Sequence, residues 1–299
     1  MTALPAQATR AIDWGLRLCR QTASLLQTPL TVRPSRDLAR RRARSHVALV
    51  GAGPGAADLL SLRALARIRA ADVLLYDRLV DPEVIALARR GCRRIYVGKE
   101  VGAHAWPQHR IDACIVAEAL KGQRVVRLKS GDPGIFGRLT EELTAARLAG
   151  LPVEVVPGIT AACAAAAHQQ ISLTERGVAD TLILTTGTCQ HGSALPDSTR
   201  HAGPGTTSVF YMSVRQASRV RDGLISQGLP RRAPVRIAAD VAKPGEQHLA
   251  CRLDQLPDTL RAAAITGCAL IIVTWPKPAR QPDPALGRRH PAQGQPAPG

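Results

Sequence analysis

Short apolar runs alternate with stretches of helical spacing between residues 46 and 160. In the stretch behind Pro107, Ile111, Ile115 and Ala119 recur at four-residue intervals, and proline suits the first turn of a helix. The runs between such stretches have the length of single strands: VALVG (47–51), VLLYD (73–77), RIYVG (94–98), RVVRLK (124–129) and VEVVPG (153–158). Five strands joined by helices predict a parallel sheet that is covered on both faces.

A second pattern of the same kind follows. The Ala-rich stretch TAACAAAAHQ predicts a helix just after residue 160, and four further runs predict strands: LILTTG (182–187), SVFYM (208–212), VRIAAD (235–240) and ALIIVTW (269–275). We therefore predict an α/β protein with two α/β domains, an N-terminal domain over 46–160 and a C-terminal domain over 161–275. The active cleft is expected between them. Residues 1–45 form a basic N-terminal extension, and 276–299 form a Pro-, Gly- and Gln-rich tail that we expect to be disordered.

Composition indicates how the core is built and argues against a membrane protein and a disulfide-rich protein. Aromatic residues make up only 3% of the chain and hydrophobic residues 45%, so Ala, Val, Leu and Ile must build the core. No run approaches the ~18 uninterrupted apolar residues of a membrane span, so no membrane partner is predicted. Seven cysteines form no CxxC pair, which favours reduced thiols in a cytoplasmic protein over a disulfide framework or a cysteine zinc site.

The net charge of +17 is unevenly distributed. The extension holds nine Arg against two Asp, a net charge of +7, and the tail carries +3, which leaves +7 for the folded part. No basic run is interleaved with aromatic residues, so nucleic-acid binding is not supported. A mildly basic folded part suits a substrate with several carboxylates.

A glycine-rich turn follows the first predicted strand. Gly51, Gly53 and Ala56 satisfy G-x-G-x-x-A, and Asp77 ends the next strand, where a ribose-binding acid would lie in a dinucleotide site. Pro54 opposes that interpretation because it removes a backbone N–H from the turn that would cradle a pyrophosphate. The turn alone therefore leaves both an NAD site and another kind of pocket open.

Further blocks extend the pattern: VGAGPG, LLYDRLV, IYVGKE, PQHRID, VVRLKSGDPGIFGR, VVPGITA and ISLTER, in this order. Together they resemble the uroporphyrinogen-III C-methyltransferases of the tetrapyrrole methylase family, from about Val47 to Trp275. The resemblance implies a homodimer with S-adenosyl-L-methionine (SAM) bound in the interdomain cleft. It also implies two methyl transfers to ring carbons of uroporphyrinogen III, giving precorrin-2 on the route to siroheme and cobalamin.

The resemblance also implies roles for single residues. Asp77 matches the family's proton acceptor and Lys99 its proton donor. Arg78 and Arg138 are candidates for binding substrate carboxylates, which guanidinium groups grip in a two-pronged fashion. The positions that match SAM contacts are Pro54, Ser130, Gly131, Asp132, Ile135, Thr160, Ala161, Met212 and Val241.

Several positions depart from the family pattern. The family usually has Gly at positions 130 and 241, where this chain has Ser130 and Val241, and a bulky aromatic residue in place of Gly134. LTEE replaces Gly-Gly-Glu-Glu, and Thr188 replaces a histidine. We expect strain at Ser130 if the turn needs a left-handed residue there.

Other functions stay open at this point. They are methylation of a later corrin precursor or of ribosomal RNA, an NAD-binding dehydrogenase that uses GAGPGA as a dinucleotide loop, and a non-catalytic binding relative. VGK and PQHRID favour the uroporphyrinogen branch.

Overall fold

The computed structural model describes residues 46–98, 106–187 and 198–278. The N-terminal extension, most of the C-terminal tail and Lys99 lie outside these ranges. The described strands are β1 (His46–Gly51), β2 (Val73–Tyr76), β3 (Arg93–Tyr96), β4 (Arg124–Lys129), β5 (Val153–Val156), β6 (Thr181–Thr186), β7 (Thr206–Tyr211), β8 (Pro234–Ala239), β9 (Gln247–Arg252) and β10 (Ala269–Trp275). The described α-helices are α1 (Leu62–Ala70), α2 (Pro82–Ala86), α3 (Gln108–Leu120), α4 (Leu139–Leu148), α5 (Ala161–His168), α6 (Ala217–Ser226) and α7 (Leu256–Ala262).

The first sheet is entirely parallel, in the order β3-β2-β4-β1-β5. Every residue of β1 after the first is buried, because neighbouring strands flank it and helices cover both of its faces. Ala48 and Val50 pack on the side of α1, whereas Val47 and Leu49 pack on the side of α3. A near-continuous apolar run is typical of such a strand. The predicted parallel sheet with two covered faces is confirmed.

The second sheet is mixed, in the order β6-β7-β10-β8-β9. β6 and β7 run parallel, and the other neighbouring strands run antiparallel. Phe210, Ile237 and Ile271 pack against α6 and α7, while Val209 and Ile272 pack against the Ala-rich α5 on the other face. Both sheets thus carry helices on their faces, and the predicted α/β class is confirmed.

Strand β9 has no counterpart among the predicted strands. Only half of its sequence, QHLACR, is apolar, and β9 lies at the edge of the sheet, where it pairs antiparallel with β8. An edge strand whose residues are largely exposed needs no continuous apolar run, so the pattern that identified the other strands does not apply to it. Among the described residues, no helix is long and apolar enough to cross a membrane.

Candidate active site

A cavity of about 400 Å³ lies between the two sheets. One wall comes from loops that follow β1, β2 and β4, at the carboxyl edge of the parallel sheet. The opposite wall comes from β7, β8, β10 and the loops that flank them. The volume falls within the range of small-molecule sites, and open α/β sheets bind ligands at this edge.

Glycines bring three loops together beneath the cavity. The backbones of Gly53 and Gly131 exchange two hydrogen bonds, at 3.3 and 2.7 Å between N and O, and both residues have a φ of +71°. A Cβ on Gly158 would lie 2.3 Å from the carbonyl oxygen of Gly131, and one on Gly51 would lie 2.5 Å from the nitrogen of Gly158. This part of the site is therefore main chain packed on main chain.

The conformation of this turn corrects one expectation. The left-handed residue is Gly131, and Ser130 is not among the non-glycine residues with positive φ in the described chain. The strain expected at Ser130 is thus wrong, because the unusual backbone angle falls one residue later, on a glycine that adopts it at no steric cost.

Asp132 holds the turn in place. Its Oδ1 accepts a hydrogen bond from the Gly134 nitrogen at 2.7 Å, and its Oδ2 accepts one from the Gly158 nitrogen at 2.9 Å. The same carboxylate therefore connects the turn after β4 with the segment that leads into α5. Each oxygen keeps a further lone pair, so Asp132 can still accept a hydrogen bond from a ligand in the cavity.

Tyr211, the last residue of β7, fixes the start of α5. Thr160 precedes the helix without capping it through its own side chain. Instead, the Tyr211 hydroxyl lies 2.7 Å from the Thr160 Oγ1 and accepts a hydrogen bond from the Ala162 nitrogen at 3.1 Å. Burial raises the pKa of Tyr211, so the hydroxyl stays protonated. The ring also packs against Phe136, with centroids 5.1 Å apart.

A buried network of charges leads away from Asp77. The Arg127 Nη2 donates to the Asp77 Oδ2 at 2.9 Å, and the Arg127 Nε donates to the Glu142 Oε1 at 3.2 Å. The Lys129 Nζ donates to the other oxygen of Glu142 at 2.7 Å. Asp77 also accepts a hydrogen bond from the Leu79 nitrogen at 3.0 Å, so both of its oxygens are oriented.

Burial is nearly complete within this network. Arg127, Lys129 and Glu142 are 5%, 4% and 1% exposed, while the Asp77 side chain remains 27% exposed toward the cavity. Burial lowers the pKa of the Lys129 ammonium from its ordinary value, and the Glu142 carboxylate opposes that shift. The network thus ends in one carboxylate, Asp77, that a ligand can reach.

The cavity also collects unusual backbone conformations. Among the seven non-glycine residues with positive φ in the described chain, four line the cavity: Phe136, Arg138, Met212 and Asp240. Such conformations cost free energy and are found preferentially at ligand sites.

The loop after β8 contacts the first sheet's loops. The Lys243 Nζ donates to the Leu79 carbonyl oxygen at 2.9 Å, and a Cβ on Gly55 would lie only 2.1 Å from the Ala242 carbonyl oxygen. Val241 sits within this loop, nearly buried, and lines the cavity. The two walls are therefore joined directly at this end.

The glycine-rich turn after β1 lacks the form of a dinucleotide loop. The chain first makes a short 3₁₀ turn over Ala57–Leu59, and α1 begins only at Leu62. Ser61 caps that helix by accepting a hydrogen bond from the Ala64 nitrogen at 3.1 Å. Because the turn does not open into a helix, no helix N-terminus is presented where a pyrophosphate would bind.

The structure brings most of the predicted site residues to one cavity. Arg78 is exposed and is not among the residues that line it, and Lys99 lies outside the described residues. The predicted residues that line the cavity are Pro54, Asp77, Ser130, Gly131, Asp132, Ile135, Arg138, Thr160, Ala161, Met212 and Val241. Lining residues that were not predicted include Gln108, Arg127, Lys129, Phe136, Tyr211, Asp240 and Lys243.

A signal for two of the missed residues exists in the sequence. Arg127 and Lys129 lie two residues apart near the end of a central parallel strand, where apolar residues are the rule. Charges at that position indicate a buried network or a site at the carboxyl edge. The partner, Glu142, is supplied by α4 and has no such signal.

The chain matches the family model of Tetrapyrrole (Corrin/Porphyrin) Methylases over residues 46–257. It belongs to that family, as the resemblance predicted. A siroheme synthase of Zymomonas mobilis is 44% identical over 229 residues, which make up 77% of this chain and 48% of that protein. The chain thus spans about half the length of the curated relatives it matches.

Solved structures show the same fold. A uroporphyrin-III C-methyltransferase from Thermus thermophilus is 35% identical and superposes with a TM-score of 0.65, over 77% of this chain and 94% of that one. A structure of the Thermus thermophilus enzyme complexed with S-adenyl homocysteine is 34% identical, with a TM-score of 0.66, over 77% of this chain and 92% of that one.

Proposed function

We propose that this chain is a SAM-dependent C-methyltransferase that converts uroporphyrinogen III to precorrin-2 by two methyl transfers, in siroheme or cobalamin biosynthesis. The observation that carries the proposal is that Asp77 and the predicted cofactor-binding residues line the same cavity. It combines a main-chain wall at Gly131 and Asp132 with a reachable carboxylate, Asp77, that is backed by a buried cation. The similarity to siroheme synthase and to the uroporphyrin-III C-methyltransferases supports the same assignment.

The cofactor is expected on the main-chain wall. Gly131 lets the backbone approach a ligand closely, and Asp132 offers a carboxylate to the amino group of a bound amino-acid moiety. Thr160 and Ala161 form the adjacent surface, where Tyr211 hydrogen-bonds to Thr160 and to the Ala162 nitrogen. The remaining proposed contacts are Pro54, Ser130, Ile135, Met212 and Val241. When bound, SAM supplies a methyl group on an electrophilic sulfonium, so the protein's main task is alignment.

Proton removal falls to the carboxylate at the cavity. A ring carbon that gains a methyl group must lose a proton elsewhere in the macrocycle, which calls for a base and an acid. Asp77 is the proposed base, because Arg127 and the Leu79 N–H orient both of its oxygens while its side chain stays accessible. Lys99 is the proposed proton donor.

Arginines are proposed to bind the substrate's carboxylates. Arg138 lines the cavity and is exposed, so its guanidinium is free to meet a carboxylate there. Arg78 follows Asp77 directly and is exposed, and we propose that it binds a carboxylate at the rim. The two α/β domains over 46–160 and 161–275, the homodimer and a cytoplasmic location belong to the same proposal.

The test is to incubate the full chain with SAM, NAD and uroporphyrinogen III under anaerobic conditions and to follow the tetrapyrrole by mass spectrometry. We expect a product heavier by two CH2 units, because each methyl group gained is accompanied by the loss of a proton, and binding of S-adenosyl homocysteine but not of NAD in calorimetry. NAD binding without binding of S-adenosyl homocysteine would overturn the assignment. Methylation confined to a later corrin precursor would keep the family's chemistry but exclude this substrate.

A further inference from the structure

Two histidines and a glutamate converge on the second sheet, outside the residues that line the cavity. His168 is the last residue of α5, Glu246 lies in the turn between β8 and β9, and His248 is the second residue of β9. The His168 Nδ1 lies 2.9 Å from the Glu246 Oε2, and the His248 Nε2 lies 2.6 Å from the Glu246 Oε1. One ligand atom from each residue lies within 4.8 Å of the others.

The carboxylate in this cluster is held in place. The Glu246 Oε2 also accepts a hydrogen bond from the Ala242 nitrogen at 3.0 Å, and its side chain is only 19% exposed. The backbone of the β8–β9 turn therefore fixes the carboxylate between the two imidazoles.

The imidazoles remain reachable from solvent. The side chains of His168 and His248 are 36% and 32% exposed, and their rings stack with planes 20° apart. Solvent thus reaches both imidazoles, while the Glu246 carboxylate between them is largely buried.

We propose that His168, Glu246 and His248 bind a divalent transition-metal ion, with Zn²⁺ as the best fit. Two imidazole nitrogens and one carboxylate oxygen are ligands that Zn²⁺ accepts at about 2.0–2.2 Å, with a fourth position left to water. Tetrahedral ligands at that range lie about 3.4 Å apart, so small side-chain rotations from the observed separations create the site. Mg²⁺ and Ca²⁺ prefer oxygen ligands and fit this set poorly.

The ion would tie two elements that both reach the cavity. α5 begins beside Thr160, and the β8–β9 turn contains Val241 and Lys243 on the cavity wall. Binding at the far end of α5 would fasten these elements together without touching the cavity. Metal should therefore raise the unfolding temperature of the chain.

The test is a titration of the metal-free full chain with Zn²⁺ and, for spectroscopy, with Co²⁺. We expect one ion per chain with a raised unfolding temperature, and a Co²⁺ spectrum without the charge-transfer absorption of a thiolate ligand. His168→Ala and His248→Ala should each weaken binding at least about 100-fold, since losing groups that merely orient ligands already costs about 10–100-fold. His109→Ala, which removes an exposed imidazole from α3, is the matched control and should leave the affinity unchanged.

Two results would overturn the proposal. One is an unchanged affinity in both histidine variants, and the other is a thiolate band, which would assign the ion to a cysteine. Circular dichroism checks that each variant folds. Because His168 and His248 lie on different elements, failure of one variant to fold leaves the other to decide.

Discussion

Glu142→Gln isolates the buried charge network behind Asp77. The substitution keeps the size of the side chain but removes the charge that pairs with Lys129 at 2.7 Å and with Arg127 at 3.2 Å. Arg127 retains Asp77 as a partner, so Lys129 is the cation left without its carboxylate. The loss therefore depends on how much an unpaired, 4% exposed ammonium destabilises the fold.

The loss of unfolding free energy has an upper limit, because Lys129 can lose its proton. Removing one partner of a buried pair typically costs about 3–5 kcal/mol in the free energy of unfolding. Lys129 can escape by losing its proton, and for an ordinary lysine this costs about 4.6 kcal/mol at pH 7. We expect Glu142→Gln to lower the free energy of unfolding by about 3–4.5 kcal/mol at pH 7.

The sign of the pH dependence follows from the same argument. A lysine whose folded pKa lies below its unfolded pKa binds fewer protons in the folded state, so stability rises with pH between the two values. Burial already lowers the pKa of Lys129, and Glu142→Gln should lower it further. The cost of deprotonating a lysine, which limits the loss, falls by about 1.4 kcal/mol for each pH unit. At pH 9 the loss of unfolding free energy should therefore be below about 2 kcal/mol.

Urea unfolding followed by circular dichroism at pH 7 and 9 measures both effects. Glu141→Gln is the matched control, because Glu141 lies in the same first turn of α4 but is exposed. Both variants remove a negative charge near the helix N-terminus, so their difference reports the loss of the buried ion pairs of Glu142. A Glu142→Gln loss within about 1 kcal/mol of the control, or one that does not shrink at pH 9, would refute the reasoning.

Three further substitutions test the site. Asp77→Asn should lower turnover by about 10²–10⁴-fold while calorimetry with S-adenosyl homocysteine shows nearly unchanged affinity, because the residue is the proposed base. Gly158→Ala should abolish that binding, since the added Cβ would lie 2.3 Å from a carbonyl oxygen, whereas Gly203→Ala meets nothing within 4 Å and should bind normally. Tyr211→Phe should cost about 1–3 kcal/mol in urea unfolding, because it leaves the buried Ala162 N–H unsatisfied.

Each of these expectations has a contrary result. Normal turnover in the Asp77 variant would place the base elsewhere, and lost cofactor affinity would make the residue structural. Equal binding by the two glycine variants would show that the loops can separate without cost. A Tyr211→Phe protein as stable as the parent would mean that another group caps α5.

The sequence predicted nine of the ten described strands because each lies within a run rich in apolar residues, even where, as in β6, the strand is only partly buried. The edge strand β9 escaped because its residues face solvent and alternate too weakly to be recognised. Most residues that the motifs singled out line one cavity, since glycine turns and strand ends are local features. Ser130 shows what the motifs could not predict. A turn motif does not say which of two adjacent residues has the positive φ, and the structure shows that it is Gly131.

Paired charges are the other limit. Arg127 and Lys129 would look solvent-facing by hydropathy alone, yet they are buried because α4 brings a carboxylate to them. That pairing depends on the distance between a strand and a helix, and the spacing of residues along the chain does not reveal that distance. The same holds for His168 and His248, which are 80 residues apart and meet only because α5 packs beside the second sheet.

The packing of Gly51, Gly131 and Gly158 beneath the main-chain wall limits which part of the cavity substitutions can reshape. A side chain introduced at Gly51 or Gly158 would clash with backbone atoms. Substitution there therefore disrupts the packing of the loops and does not change the shape of the cavity. The opposite wall includes side chains that are not proposed to contact the cofactor, such as Cys268 and Leu270, and these can be exchanged one at a time. Proteins that evolve from such an ancestor can therefore bind a different molecule at the opposite wall, while the ligand of the main-chain wall stays the same.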